Sequence, residues 1–398
     1  MVHGKKLAKE TLLPSVLEDD DAEPESEKLQ LGEQIVGQTE FNARGPKDQC
    51  SSPDGNMQDG GERQGEEKVE EEENEREERG GEERVSSEED YDTDLEIEDK
   101  EEAYDPTGQT CYVEACKKYQ VVPASYFLRH MQNSELSMMH RGLGPQGTKA
   151  LAVPLVTNTS ILRLNLRDNW MEEMGGAAIA EMLKENCYIT EVDLSDNNLG
   201  DDGAKAIAAM LKENSTLVNL NLSGNHFTDK SAEYLGPALM INTKLQHLDL
   251  SYNTLGKSAG SIAGNIYLRT VDLSCNGFSK EGAIALGQAL KDNSVLEELN
   301  VSNNRIPPEG AIRLAMGLRV NKTIKSLNIG KNPIQDAGCY GILKCMQENP
   351  NSAMETLDFG DIIVNQDFED LYTAVKEMLP GLTVNYGGRF GIFRKAKA

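Results

Sequence analysis

One pattern of apolar and polar residues recurs along the chain between Ile161 and Ile329. It has the form L-x-x-L-x-L-x-x-N-x-L, and a longer intervening segment separates one copy from the next. The numbers of successive motif asparagines differ by 28, except at the fourth step, where they differ by 23. These residues are Asn169, Asn197, Asn225, Asn253, Asn276, Asn304 and Asn332. A nearly fixed period of this length predicts a stacked array of repeats, in which each repeat buries its apolar side against its neighbours.

Within one repeat, the pattern changes from alternation to helical spacing. Val192-Asp193-Leu194 alternates apolar and polar residues, and this predicts a short strand with one buried face. Ala204, Ile207, Ala208 and Leu211 recur at helical spacing and predict a helix. Adjacent strands lie about 4.8 Å apart, whereas packed helices need roughly 8–10 Å. We therefore predict a curved α/β array, with a parallel sheet on the concave side and helices on the convex side.

Two local features refine this prediction. The amide of each motif asparagine can satisfy backbone groups where the strand turns, so we expect these side chains to form a buried ladder. The repeat between Asn253 and Asn276 is five residues short, and its outer segment 256–265 contains three glycines. Because five residues exceed one helical turn of about 3.6 residues, we predict a stunted or irregular outer helix there.

The G-A-x-x-(I/L)-x-x-x-L helix pattern and the repeat period resemble the ribonuclease-inhibitor-like class of leucine-rich repeats. The resemblance covers Leu136–Leu379 and implies a horseshoe-shaped solenoid. Members of this class include ribonuclease inhibitor, the GTPase-activating protein of Ran and the sensor arrays of some innate immune receptors. The segments 121–129 and 140–147 are similar to the leucine-rich repeat-containing protein 74 group. These names imply a fold, but they imply no single function.

The same patterns divide the chain into five regions. We predict a disordered acidic region at 1–105, a helical N-terminal cap at 106–133 and repeats at 134–362, with the short repeat near 253–276. A C-terminal cap should follow at 363–388 and a basic tail at 389–398. The segment 66–102 contains 21 acidic and 5 basic side chains, so it carries a net charge of −16 out of −27 for the chain. Charge repulsion and a low apolar content predict disorder there.

Composition and motifs then exclude several classes of function. A net charge of −27 disfavours binding to nucleic acids and to anionic membrane surfaces. No apolar run approaches the roughly 18 residues of a membrane-spanning helix. The segment 1–14 lacks the apolar core of a secretory signal, and the seven scattered cysteines favour reduced thiols. We therefore expect a cytoplasmic monomer, with the nucleus and other intracellular sites left open.

We find no phosphate-binding loop, no H-E-x-x-H motif and no histidines at metal-ligand spacing, so we predict no catalytic, cofactor or metal site. The leading hypothesis is a non-enzymatic scaffold that binds a basic or polar protein on the concave face. The alternative is a GTPase-activating protein, as the resemblance to the Ran activator implies. The acidic segment is N-terminal here, however, whereas it is C-terminal in that family.

The candidate binding residues lie at outward strand positions or directly beside them. Charged and aromatic side chains at such positions are the usual anchors of a protein interface. The alternative for any one of them is that it only keeps the sheet soluble. The candidates are Arg167, Asp193, Asp196, His247, Asp249, Tyr252, Arg269, Asp272, Asn300 and Lys331.

Overall fold

A computed structural model describes residues 105, 107–262 and 264–389. The predicted disordered region 1–105 lies outside these residues except for Asp105, and so does the predicted basic tail except for Arg389. The α-helices are α1 Gln109–Tyr119, α2 Ser125–His130, α3 Gly144–Leu155, α4 Glu172–Glu185, α5 Gly200–Glu213, α6 Asp229–Ile241, α7 Lys280–Asp292, α8 Pro308–Leu318, α9 Gln335–Gln347 and α10 Gln366–Met378.

The strands are short, and most consist of three residues. They are β1 Glu135–Ser137, β2 Arg163–Asn165, β3 Glu191–Asp193, β4 Asn219–Asn221, β5 His247–Asp249, β6 Thr270–Asp272, β7 Glu298–Asn300, β8 Ser326–Asn328, β9 Thr356–Asp358, β10 Ile363–Val364, β11 Thr383–Asn385 and β12 Gly388–Arg389. Strands β1 to β9 and β11 form one parallel sheet in sequence order, and β10 pairs with β12. This arrangement confirms the predicted α/β solenoid, with the sheet on the concave side and the helices on the convex side.

The core lies between the sheet and the helices. The middle residue of each strand points into it, so that Val192, Leu220 and Leu248 are at most 3% exposed. The small and apolar faces of the helices cover these residues from the other side, and Ile207 and Leu211 of α5 are buried there. The first and third residues of each strand remain on the opposite, concave face of the sheet.

The predicted asparagine ladder is present. Asn197 is fully buried, and its Nδ2 donates to the carbonyl oxygens of Leu166, Leu194 and Ser195 at 2.9, 3.0 and 2.9 Å. Its Oδ1 accepts the N–H of Asn169 in the preceding repeat at 2.9 Å. Asn197 therefore joins its own turn to the repeat before it.

A second buried asparagine ladder was not predicted. Asn214 Oδ1 accepts the N–H groups of Thr216 and Leu217 at 3.0 and 2.8 Å, and its Nδ2 donates to the Leu183 carbonyl at 2.7 Å. This ladder ties the turn after each helix to the preceding repeat. Its members are Asn158, Asn186, Asn214, Asn242, Asn265, Asn293, Asn321 and Asn349, and all are at most 8% exposed.

The short repeat keeps its strand but loses its α-helix. Both ladders have a shorter step there, from Asn253 to Asn276 and from Asn242 to Asn265, so the missing residues belong to the outer segment between Asn253 and Asn265. A 3₁₀ helix at Ser258–Ser261 replaces the α-helix and packs between α6 and α7. The irregular outer helix predicted from the sequence is therefore confirmed.

The array is covered at both ends. At the N-terminal end, α1 packs on α3, and the rings of Tyr112 and Phe127 meet edge to face at 4.6 Å. At the C-terminal end, α10 packs on α9, but Thr383–Asn385 add a further strand beside β9. The sheet therefore extends into the segment that was expected only to cap the array.

The last described residue, Arg389, is part of the folded end rather than of a free basic tail. Its Nε and Nη2 donate to the two carboxylate oxygens of Glu369, both at 2.7 Å. The Tyr386 hydroxyl donates to Glu369 Oε1 at 2.7 Å. Bonding to Arg389 holds the pKa of the Glu369 carboxyl below its usual value, although burial of the side chain opposes this shift.

Candidate functional site

The concave face is built from two columns of side chains that run across the sheet. The strand register aligns the first residues of the strands in one column and the third residues in the other. From β2 to β9, the third-residue column reads Asn165, Asp193, Asn221, Asp249, Asp272, Asn300, Asn328 and Asp358. Four of the predicted binding residues therefore lie in one column. Asp249, Asp272 and Asn300 are direct neighbours, and Asn221 separates Asp193 from Asp249.

This column also has a structural role that the sequence analysis missed. In each case, one side-chain oxygen accepts the backbone N–H two residues further on. Asp193 Oδ1 accepts from Ser195 at 2.9 Å, Asn221 Oδ1 from Ser223 at 3.0 Å and Asp249 Oδ1 from Ser251 at 2.8 Å. Asn and Asp satisfy this turn equally well because both have an acceptor oxygen at the same place. The turn therefore explains why the column contains residues of this size with an acceptor oxygen. It does not explain why some of them are aspartates, which carry a negative charge.

The aspartates of the column differ in how their second oxygen is used. Asp272 Oδ2 accepts the Asn300 Nδ2 at 2.8 Å, so both of its oxygens are bonded. Within the described part of the chain, the Oδ2 atoms of Asp193 and Asp249 have no such partner. Burial raises the pKa of the Asp249 carboxyl, and the negative charges of Asp272 and Asp193 add to this, while hydrogen bonds from Ser251 act against it.

A groove of about 500 Å³ runs over the sheet from β1 to β6. Asp193, His247, Asp249 and Asp272 line it, but the other six predicted residues do not. Its lining also includes residues that were not predicted, among them Arg163, Asn219 and Thr270. Each of these three lies two residues before a member of the Asn/Asp column, so strand alternation could have placed them on the same face.

Four predicted residues lie in or next to the loops that follow the strands. Asp196, Tyr252 and Lys331 precede the motif asparagines and have positive φ values of 57°, 54° and 55°. Arg167 Nη2 contacts Asp196 Oδ2 at 2.9 Å. A left-handed backbone is unusual for a bulky residue such as Tyr252, whose side chain is 68% exposed. These residues form the rim of the concave face rather than its floor.

The last predicted residue, Arg269, lies just before β6 and is already paired. It binds Glu297, which also accepts Lys325 Nζ at 2.7 Å. Lys325 is the main cause that holds the pKa of the Glu297 carboxyl below its usual value. Arg269 is therefore part of an exposed ion-pair network outside the groove, and it is not the free basic anchor that the sequence suggested.

Among the described residues, no three His, Cys, Asp or Glu side chains are arranged to hold a metal ion. No helix in 105–262 or 264–389 has the length and apolar character needed to cross a membrane. The candidate site is an open, polar sheet face with a groove across it.

The repeat pattern matches a family model. The model described as "Leucine Rich repeat" matches residues 185–208, 213–236, 242–261, 264–287, 292–315 and 320–343. Each of these segments spans one strand of the sheet and the start of the helical segment that follows it. The chain contains leucine-rich repeats.

Curated relatives support a narrower resemblance for this leucine-rich repeat protein. Leucine-rich repeat-containing protein 74B of Homo sapiens is 42% identical over 76 residues, which cover 19% of this chain and 19% of that protein. The Mus musculus protein of the same name is 50% identical over 54 residues, which cover 14% of each chain. The matches thus span about a fifth or less of the length of these relatives. The chain resembles the leucine-rich repeat-containing protein 74 group, as the sequence analysis predicted.

Among solved structures, the leucine-rich repeat-containing protein LegL7 from Legionella pneumophila is similar to this leucine-rich repeat protein. The two are 16% identical, the match covers 69% of this chain and 86% of LegL7, and the TM-score is 0.43.

Proposed function

We propose that this leucine-rich repeat protein is a non-enzymatic scaffold that binds a protein partner on its concave sheet face. The observation that carries the proposal is the groove of about 500 Å³, which crosses six strands. Both outward columns of the sheet line this groove, and an extended surface of this kind suits another protein better than a small molecule. The cytoplasmic location, monomeric state and protein partner predicted from the sequence are part of this proposal.

A bulky side chain on the groove floor tests the proposal. Thr270 lines the groove, and its side chain makes no hydrogen bond within the described structure, so Thr270→Trp should fill the groove without breaking a turn. We expect this variant to lose the proteins that the wild-type chain captures from lysate. Lys212→Trp places the same ring on an exposed position of α5, on the convex side, and should capture them normally.

Thermal melting of both variants shows whether each remains folded. Equal capture by wild-type chain and folded Thr270→Trp would contradict concave binding. The alternative, GTPase activation, predicts that micromolar protein accelerates GTP hydrolysis by Ran or a related GTPase. We prefer the scaffold because the groove is an open surface across six strands and the sequence offers no residue that matches a catalytic role.

A further inference from the structure

We propose that the partner presents an arginine side chain, which binds in the concave groove between Asp193 and Asp249. The proposal rests on the concave-face function above and names the chemistry of the partner. Asp193 and Asp249 lie on β3 and β5, and Asn221 of β4 lies between them in the same column. With strands about 4.8 Å apart, the two carboxylates are separated by roughly 10 Å across the groove floor.

The two carboxylates have free hydrogen-bonding capacity toward the groove. In both residues Oδ1 is used by the following turn, and Oδ2 has no hydrogen-bond partner in the described structure. Among the residues that line the groove, Arg163 is the one arginine or lysine, but its Nη2 is held by Glu135 Oε2 at 3.0 Å. On the rim, Arg167 is held by Asp196. These two arginines are therefore paired with other carboxylates, and no ion pair of the described chain reaches Asp193 or Asp249.

The turn does not require these charges. Asn165, Asn221, Asn300 and Asn328 occupy the same column and make the same bond to the N–H two residues further on. An asparagine at position 193 or 249 would do so too. At Asp249, burial and the nearby charge of Asp272 make a negative charge unfavourable in the folded state, so a role outside the fold accounts for this charge better than the turn does.

A second observation concerns Asn219, which lies on the strand between the two aspartates. Asn219 lines the groove on β4, and its Oδ1 is the one buried side-chain nitrogen or oxygen atom of the described residues without a hydrogen-bond partner. A buried acceptor without a donor is costly, and a ligand N–H would remove this cost once the Asn219 side chain turns its oxygen toward the groove. Asn219 and Asn221 share β4, directly between the strands that carry the two aspartates.

These acceptors fit a guanidinium better than an ammonium group. Arginine has five N–H donors in a planar fork, so one side chain can bond a carboxylate and still donate to a neighbouring amide oxygen. Lysine has three donors on a single nitrogen atom and acts more as a point charge. We therefore expect the groove to prefer arginine over lysine, and to reject a neutral isostere.

Peptide binding to the full-length chain tests the inference. The probe is a labelled extended peptide with one central arginine, compared with lysine and citrulline versions of the same peptide. We expect the arginine peptide to bind most tightly and the citrulline peptide to bind at least about tenfold more weakly.

Asn substitutions locate the site, because they remove the charge and keep the turn. Asp193→Asn and Asp249→Asn should each weaken binding of the arginine peptide by about tenfold. Asp358→Asn is the matched control: Asp358 Oδ1 makes the same turn bond, to Gly360, but lies outside the groove. The affinity of this control should stay within about twofold of wild type.

Two results would overturn the inference. If all three variants bind equally, the peptide is attracted by net charge or by the acidic segment 66–102, and not by this groove. If the arginine peptide fails to bind while Thr270→Trp still abolishes partner capture, the concave-face function stands and the arginine assignment is wrong. Failure of Thr270→Trp to affect capture would instead count against the proposed function itself.

Discussion

The strand layer and the helix layer respond differently to the same shortened repeat. On the concave side, β5 and β6 pair in the usual register, with Asp249 opposite Asp272, although the motif asparagines of their repeat are closer in sequence than the others. On the convex side, the α-helix is reduced to the 3₁₀ helix at Ser258–Ser261. The shortening is therefore absorbed by the outer layer.

The difference follows from how each layer is held together. Each strand is bonded to its neighbours by backbone hydrogen bonds and by the asparagine ladders on both flanks, so its register is fixed atom by atom. Helices pack through side chains, whose sizes can change from repeat to repeat. A shorter repeat can therefore be accommodated in the helix layer, whereas the strand layer keeps its length and register. The concave surface stays continuous as a result.

The largest loss of stability should come from a substitution in the strand layer. Leu222 follows β4 and is fully buried, so Leu222→Ala should lower the free energy of unfolding by about 2–5 kcal/mol through lost burial and the cavity left behind. Chemical denaturation measures this change. Lys212→Ala, at an exposed position of α5, is the control. A loss for Leu222→Ala no larger than that of the control would contradict the assignment of Leu222 to the core.

The packing of the shortened outer segment should give an intermediate effect. A Cβ atom on Gly260 would collide with Ala285 Cβ on α7 and lie 3.0 Å from the carbonyl carbon of Ala285. Gly260→Ala should therefore cost about 1–3 kcal/mol, because the 3₁₀ helix must move away from α7. Gly381→Ala is the matched control, since its added methyl group meets no atom within 4 Å. Equal denaturation midpoints for the two variants would show that this segment does not pack closely on α7.

The smallest effect should be a gain in stability on the groove floor. Because the pKa of Asp249 is raised in the folded state, its ionised form opposes folding at neutral pH. Asp249→Asn keeps the bond to Ser251 and removes that charge, so at neutral pH it should raise Tm by on the order of 1–3 °C.

The pH dependence of this Tm gain tests whether the ionised carboxyl of Asp249 causes it. The gain should shrink as the pH falls through the raised pKa of Asp249, and it should vanish well below the ordinary value of 3.8, where the wild-type carboxyl is also neutral. Asp358→Asn provides the same substitution in the same column. A Tm that falls at neutral pH on Asp249→Asn would show that the charge stabilises the fold, which would remove one argument for a role in binding.

The sequence predicted the repeat architecture, the motif-asparagine ladder and the irregular segment near Gly260, because each depends on spacing within one chain segment. It did not predict the second asparagine ladder, although the same repeat spacing was present. Asn214 and its counterparts lie outside the L-x-x-L-x-L-x-x-N-x-L motif, so the motif did not identify them. The additional strand at Thr383–Asn385 was also missed, because that strand lies outside the leucine pattern.

The candidate site was predicted only in part, and the reason is physical. Alternation along one strand identified Asp193, Asp249 and Asp272 as outward-facing residues, but it could not show that Asn300 takes up the second oxygen of Asp272. It also could not show that Arg167 and Arg269 are neutralised by Asp196 and Glu297. Those contacts join residues about one repeat apart, which become neighbours only when repeats stack.

The sequence by itself thus determined the period, the alternation of strand and helix, and the direction in which each strand residue points, since these are properties of local backbone geometry. The tertiary structure decided which polar atoms find partners. Stacking brings each side chain against the next repeat, and the identity of that neighbour fixes whether a charge is paired, buried or left facing the groove. On the described groove floor, stacking leaves Asp193 and Asp249 as aspartates with an oxygen available to a partner.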